Sequence, residues 1–104
     1  MQVIIEDRFL GEVANCNKTF GKSPYSDDVI KAFKKCLFRI SQAKSTADLR
    51  MIKGFHFEKL KEKKYEGKYS IRLNKAYRLI FRVENLESSR IEIICIEEIN
   101  NHYS

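Results

Sequence analysis

The stretch Lys68-Tyr-Ser-Ile-Arg-Leu-Asn-Lys-Ala-Tyr-Arg-Leu-Ile-Phe-Arg-Val-Glu84 decides the fold class. It predicts two strands, Lys68 to Leu73 and Ala76 to Glu84, joined through Asn74-Lys75, because the side chains repeat with the period of two that strands require. In the second strand one face is apolar and is made by Tyr77, Leu79, Phe81 and Val83. The opposite face carries Arg78, Ile80 and Arg82. We therefore expect a sheet with one face in the core and two guanidinium groups on the other.

Further strands are predicted on both sides of this stretch. β-branched residues indicate a short strand from Gln2 to Ile5, and alternation predicts others from Phe55 to Lys61 and from Arg90 to Glu98. A charged turn from Glu62 to Gly67 and another turn at 85–89 separate them.

The first half of the chain has helical periodicity. Apolar residues at intervals of three and four predict a helix from Asp7 to about Lys18 and a second one, capped by Ser26 or Asp27, that extends past Ile40. A short helical turn follows, for which Ser45 can be the cap. The polar face of the second helix, which we expect to face solvent, carries Lys31, Lys34 and Lys35.

This order of elements predicts an α+β fold. It has an N-terminal strand and two to three helices packed on one face of an antiparallel sheet of about four to five strands. A length of 104 residues fits one domain spanning residues 1–104. The opposite face of the sheet would then be open to a ligand.

Composition narrows the class of protein. Hydrophobic residues at 43% and charged residues at 33% indicate a soluble globular protein rather than a disordered or a membrane protein. The start of the chain lacks the features of a signal peptide, so we expect a cytoplasmic protein. The three cysteines, Cys16, Cys36 and Cys95, are too widely spaced for a zinc knuckle or redox pair, and reduced thiols are expected.

Positive charge is concentrated in one window. The formal net charge is +6, but residues 53–82 contain ten lysines and arginines against three glutamates, so this window carries +7 and the rest of the chain carries −1. A window with so large an excess of positive charge favours a polyanionic partner, and nucleic acid is the first candidate. A lysine-rich hairpin that is merely solvated would have the same charge pattern. The ten cationic residues are Lys53, Lys59, Lys61, Lys63, Lys64, Lys68, Arg72, Lys75, Arg78 and Arg82.

No glycine-rich phosphate loop, nucleophile elbow or metal-ligand cluster is present in the sequence. The polar residues are compatible with phosphodiester cleavage without a metal ion, which needs a base, cations around the phosphate and an acid for the leaving oxygen. Glu58 is the candidate base, His102 the candidate acid, and Tyr103 can stack on a nucleobase. Arg72 and Arg78 match the geometry of phosphate oxygens.

Each candidate also has a plainer interpretation. Glu58 can be a surface ion-pair partner, and Arg78 and Arg82 can simply solubilise an exposed sheet face. His102 and Tyr103 stand close to the last residue given, where disorder is common.

The decisive stretch closely resembles the core segment of RelE/ParE-superfamily toxins. In these toxins a Gly-x-aromatic-Ser-x-Arg strand, here beginning at Gly67, precedes a strand with an aromatic-Arg-aliphatic triplet, here Tyr77-Arg78-Leu79. Leu60-Lys61 upstream fits as well. The segment beginning Asp48-Leu-Arg-Met-Ile is similar to the HigB branch, the plasmid maintenance killer proteins.

The resemblance implies the toxin of a type II toxin–antitoxin pair, acting as a ribosome-dependent mRNA endonuclease. By likeness to YoeB members, catalytic roles fall on Glu58, Arg78, His102 and Tyr103. Lys61 and Arg72 match basic residues of the family, which implies that they bind RNA. The charge of the basic window predicts RNA-binding roles for Lys59, Lys63, Lys64, Lys68 and Arg82 as well. HigB members usually have histidine at the position of Glu58 and end in an Asp-Tyr-His-like motif, so the two branches disagree on the base.

The implied partners are a cognate HigA-like helix-turn-helix antitoxin, the ribosome through its rRNA, and mRNA, with no membrane and no cofactor or metal. A ParE-like inhibitor of DNA gyrase has the same fold, and an inactive toxin that only binds its antitoxin is a third alternative. The terminal His102-Tyr103 favours the nuclease.

Overall fold

A computed structural model describes residues 1–15, 24–86 and 91–101 of the chain. Its helices are α1 (Arg8–Ala14), α2 (Asp27–Gln42) and α3 (Thr46–Arg50). Its strands are β1 (Gln2–Ile5), β2 (Glu58–Lys59), β3 (Tyr69–Arg72), β4 (Arg78–Asn85) and β5 (Glu92–Asn100). Two 3-10 turns flank β2, the first at Lys53–Phe55 and the second at Lys63–Tyr65. In this part of the chain no helix is long and apolar enough to cross a membrane.

The five strands form one sheet in the order β1-β5-β4-β3-β2. The α+β architecture is confirmed, with three helices and five strands, but the sheet is mixed rather than wholly antiparallel because β1 runs parallel to β5. Val3 pairs with Ile94 and Ile5 with Ile96, and the ladder continues where the Glu6 amide donates to the Ile96 carbonyl at 2.8 Å. A parallel partner requires a long crossover, which here contains all three helices and the other three strands.

The helices cover one face of the sheet. Their buried side chains form a cluster with the inward face of the central strands, and Phe33 of α2 and Phe81 of β4 are both fully buried in it. The predicted faces are confirmed for Leu79 and Phe81, which point into this cluster, and for Arg78 and Arg82, which are only partly buried. Ile80, which is predicted to share the outward face with the two arginines, is buried as well.

Helix α2 begins and ends where local chemistry predicts. The Ser26 hydroxyl accepts a hydrogen bond from the Val29 amide, and Asp27 and Asp28 place negative charge in the first turn, where it interacts favourably with the helix dipole. Helix α1 ends at Ala14, before the expected Lys18, and Asn15 is its cap. The predicted loop at 19–24 lies almost wholly outside the described residues.

The strand predicted from Phe55 to Lys61 is wrong over most of its length. Only Glu58 and Lys59 pair with β3, and the first 3-10 turn occupies the preceding residues. The break occurs at His56, whose φ of 45° is left-handed and incompatible with a strand. Phe57 then packs against the ring of Phe81 at 5.7 Å between centroids.

Helix α3 is capped by a different residue from the one expected. Ser45 occupies the cap position, but its side chain makes no capping hydrogen bond. Glu92 of β5 accepts from the Thr46 amide at 2.8 Å and from the Thr46 hydroxyl at 2.9 Å instead. A carboxylate from the last strand therefore anchors this short helix to the sheet.

Candidate active site

Two rows of polar side chains cross the sheet face that the helices leave open. Directly paired residues of neighbouring strands share a face, so the register defines each row. One row contains Glu58, Ser70, Ile80 and Glu98. The next row contains Arg72, Arg78 and Asn100. Four strands thus bring together residues that are up to 42 positions apart in sequence, Glu58 and Asn100 being the extremes.

Arg78 lies at the centre of this arrangement. Its Nη1 donates to the Ser70 hydroxyl at 2.8 Å and to Oε2 of Glu58 at 3.3 Å. Ser70 is fully buried and is the one buried polar residue in the described part of the chain, whereas the Glu58 side chain is 56% exposed. The Arg78 guanidinium is therefore held by two hydrogen bonds. One goes to a buried hydroxyl, and the other goes to a carboxylate that is accessible to a ligand.

Arg72 is directly opposite Arg78 in the β3–β4 ladder and is held at the end of its strand. Its Nε donates to the Asn74 carbonyl at 3.2 Å, and its Nη1 lies 3.5 Å from Nε2 of His56. The turn predicted at Asn74-Lys75 is confirmed, because the Asn74 side chain accepts from the amides of Ala76 and Tyr77. The left-handed His56 and this turn together position the Arg72 guanidinium.

A third group borders the two rows and was missed by sequence reasoning. The Asn100 amide donates to the Tyr65 hydroxyl at 2.7 Å, and this hydroxyl lies 3.3 Å from Oε1 of Glu98. Glu98 faces this side because the β4–β5 register shifts between Ile80 and Phe81, so that Ile80 pairs with Glu98 and Phe81 with Ile96. An irregularity of this kind cannot be read from alternation, so the sequence does not indicate that Glu98 faces this side. Tyr65 belongs to a 3-10 turn, and its contacts with Glu98 and Asn100 depend on the tertiary fold.

Arg82 and Lys68 lie within a cluster of carboxylates. Arg82 contacts Glu6 at 2.6 and 2.8 Å, and it contacts Glu97 and Glu84 at 3.0 Å each. Lys68 pairs with the same Glu97. The hydrogen bond from Arg82 lowers the pKa of Glu6, and those to its carboxylate partners raise the pKa of Arg82 itself. These two cations are neutralised inside the protein, in contrast to the other predicted RNA-binding residues.

The remaining predicted lysines surround β2 and the second 3-10 turn. Lys59, Lys61, Lys63 and Lys64 are all exposed, and none forms an ion pair with a described residue. The Lys64 ammonium lies 5.0 Å from the Tyr65 ring centroid, which places it next to the third group. His102 and Tyr103 lie outside the described residues, although β5 ends at Asn100, opposite Arg78.

The arrangement combines a carboxylate and two guanidiniums on one open surface, with the buried Ser70 hydroxyl holding one of the guanidiniums. It can bind a phosphodiester through Arg72 and Arg78, while Glu58 can accept a proton from a group next to that phosphate. Across residues 1–15, 24–86 and 91–101, no group of three or more His, Cys, Asp and Glu side chains is placed to hold a metal ion. The open face therefore has the features of a phosphate-binding protein surface with an acid–base group beside it.

Comparison with known proteins identifies the family to which this chain belongs. The family model for the RelE-like toxin HigB of type II toxin–antitoxin systems matches residues 6–93. The chain belongs to the HigB-like family of type II toxins, as the sequence predicts, and a type II toxin has an antitoxin as its partner.

The fold is also that of a solved toxin. The YoeB/ParE toxin from Agrobacterium tumefaciens aligns with a TM-score of 0.58 and 11% sequence identity, over 99% of this chain and 100% of that one. At this identity the likeness shows the fold alone. No curated protein matches the chain in sequence.

Proposed function

We propose that this toxin is a ribosome-dependent mRNA endonuclease that cleaves without a metal ion. The observation that carries the proposal is the position of Arg78, which is held by Ser70 and Glu58 on the open sheet face with Arg72 opposite it in the ladder. This geometry places a carboxylate beside one guanidinium, with a second arginine on the directly paired residue of the neighbouring strand. Membership of the HigB-like family supports mRNA as the substrate.

The proposed reaction is an attack by a ribose 2′-hydroxyl on the adjacent phosphate. The Glu58 carboxylate accepts the 2′-hydroxyl proton while the 2′-oxygen forms a bond to phosphorus. Arg78 and Arg72 stabilise the negative charge that develops on the phosphorane oxygens. The bond from phosphorus to the 5′-oxygen then breaks, and His102 donates a proton to that oxygen. The products are a 2′,3′-cyclic phosphate and a 5′-hydroxyl.

The exposed lysines are assigned to nucleic acid rather than to the reaction. Lys61 is two residues past the end of β2 and follows Glu58 closely enough in the chain to contact the same strand of RNA. Lys59, Lys63 and Lys64 lie on β2 and the second 3-10 turn rather than on the strands that carry Arg72 and Arg78, which favours contacts with ribosomal RNA. Tyr103 is proposed to stack on a nucleobase at the site.

The antitoxin is proposed to be a HigA-like helix-turn-helix protein with an acidic segment that covers part of the basic surface. Since residues 53–82 carry +7, the association should weaken as salt rises. An affinity that does not change between low and high salt would contradict masking by charge.

Primer extension on a reporter mRNA tests the proposed activity. The purified toxin is incubated with the message in the presence and absence of translating ribosomes. Cuts that appear only during translation and map to codon positions support the proposal. An intact message together with accumulation of DNA cleavage complexes would instead support a ParE-like gyrase inhibitor. If neither occurs, the toxin is inactive and only binds its antitoxin.

A further inference from the structure

A basic cavity lies beside the candidate active site and shares only Arg72 with the proposed reaction. Its volume is about 150 Å3, far more than one water molecule needs. It is formed between helix α2, the first 3-10 turn and the end of β3. Lys35 and Arg39 line it from the helix, Gly54 and Phe55 from the turn, and Arg72 from the strand.

Three cations line this cavity, and no carboxylate of residues 1–15, 24–86 and 91–101 pairs with them. Neither Lys35, Arg39 nor Arg72 lies within ion-pair distance of an acidic side chain in the described part of the chain. Arg82, in contrast, contacts three glutamates. Like charges gathered around one cavity repel each other, and this repulsion is relieved when an anion binds between them.

Two of the three cations are held in place before any ligand arrives. The Arg39 guanidinium lies 5.7 Å from the Phe55 ring centroid, and the Arg72 guanidinium is fixed by the Asn74 carbonyl and by His56. Less side-chain entropy is then lost when an anion binds, which increases affinity.

Cys36 also lines the cavity but does not add a reactive or charged group. Burial raises the pKa of its thiol to about 12, so the thiol remains protonated at neutral pH. All of the charged side chains that line the cavity are therefore cationic.

We propose that this cavity binds a second phosphate of the RNA backbone, next to the phosphate held at Arg78. Arg72 lines the cavity and is also paired with Arg78 in the β3–β4 ladder, so it contacts both phosphates. Lys35 and Arg39 set the position of the RNA strand and take no part in bond breaking. That the phosphate belongs to RNA rests on the proposed function, whereas the anion site itself rests on the geometry alone.

The first test needs neither ribosomes nor cleavage. Inorganic phosphate is titrated into the isotopically labelled full chain, and backbone amide signals are followed by NMR. We expect saturable shifts at Gly54, Phe55 and Leu73, and their loss in the double variant Lys35→Gln/Arg39→Gln. No shift at these amides, or shifts that persist in that variant, would overturn the proposal. If acetate shifts these amide signals as strongly as phosphate does, the phosphate proposal is overturned in favour of an acidic peptide as the ligand.

The second test measures the salt dependence of RNA binding by fluorescence anisotropy with a short single-stranded RNA. Loss of one phosphate contact should reduce the slope of log affinity against log salt by about 0.7. The matched control Lys31→Gln/Lys44→Gln removes the same charge from exposed positions that do not line the cavity. Equal changes in slope for both double variants would show a general charge effect and refute the site.

The two proposals fail in different ways. If phosphate binds at the cavity but no message is cut on ribosomes, the anion site stands and the endonuclease proposal falls. If messages are cut but phosphate shifts none of these amides, the reverse holds.

Discussion

Replacing Arg78 by alanine should separate the chemistry of the site from its contribution to stability. Arg78→Ala removes the group proposed to stabilise charge on the phosphorane, and losing one such group typically reduces a rate by about 100- to 1,000-fold, or about 3–4 kcal/mol. The cost to folding is smaller. One hydrogen bond to Ser70 contributes about 1 kcal/mol, and the pair with the exposed Glu58 contributes less.

A loss of about 1–2 kcal/mol leaves a domain with a stability of about 5–15 kcal/mol folded. The cleavage rate of the variant is measured by primer extension during translation, and its Tm by circular dichroism. We expect the large loss of rate together with a decrease in Tm of roughly 4–8 °C for each kcal/mol lost.

Two control variants make the result interpretable. Ser70→Ala removes the same hydrogen bond but keeps the guanidinium charge, so it should lose about as much stability as Arg78→Ala and much less cleavage. Arg8→Ala removes a cation whose side chain is 95% exposed and lies at the start of α1, so cleavage should not change. If Arg78→Ala cleaves within about threefold of the original protein, the assignment of charge stabilisation to this residue is refuted.

Three further outcomes test the fold and its electrostatics. Phe81→Ala removes a fully buried ring and should lower the free energy of unfolding by about 3–5 kcal/mol, seen as a lower urea midpoint with an unchanged m-value. Because Arg82 holds the pKa of Glu6 below its ordinary value of 4.5, this pairing stabilises the protein fully above that pH and is lost as pH falls through the lowered pKa. The stability difference between the original protein and Arg82→Gln should therefore be present at about pH 7 and shrink towards about pH 3 in urea titrations, and a constant difference would count against the pairing. Cys36, with its pKa raised to about 12, should remain unalkylated by iodoacetamide at about pH 8 in the native protein and react after denaturation, as followed by peptide mass spectrometry.

Local sequence patterns predict those helices and strands that are determined by residues close to them in the chain. Helix α2 follows from its Ser26 cap and its apolar spacing, and the inward and outward faces of β4 follow from alternation. The juxtaposition of Glu58 and Arg78 was reached through resemblance, since alternation alone does not fix which residues of two strands are paired.

The features that sequence missed depend on residues far apart. Arg82 is neutralised by Glu6, which is 76 positions away, and the Glu92 cap of α3 is 46 positions from Thr46. The strand expected from Phe55 does not form because His56 adopts a left-handed backbone conformation. Histidine has only a weak preference for this conformation, so the residue type alone does not predict it. Tertiary contacts decide each of these cases, so no local pattern reports them.

The parallel pairing of β1 with β5 has a consequence for the order of events during synthesis. Chains emerge from the ribosome with their N-terminal segments first, and Val3 and Ile5 have to wait for Ile94 and Ile96 before they can join the sheet. The open face also acquires Asn100 only when β5 is made. A nascent copy of this toxin therefore cannot complete its sheet until β5 has been translated, which delays the moment at which the open face is fully assembled.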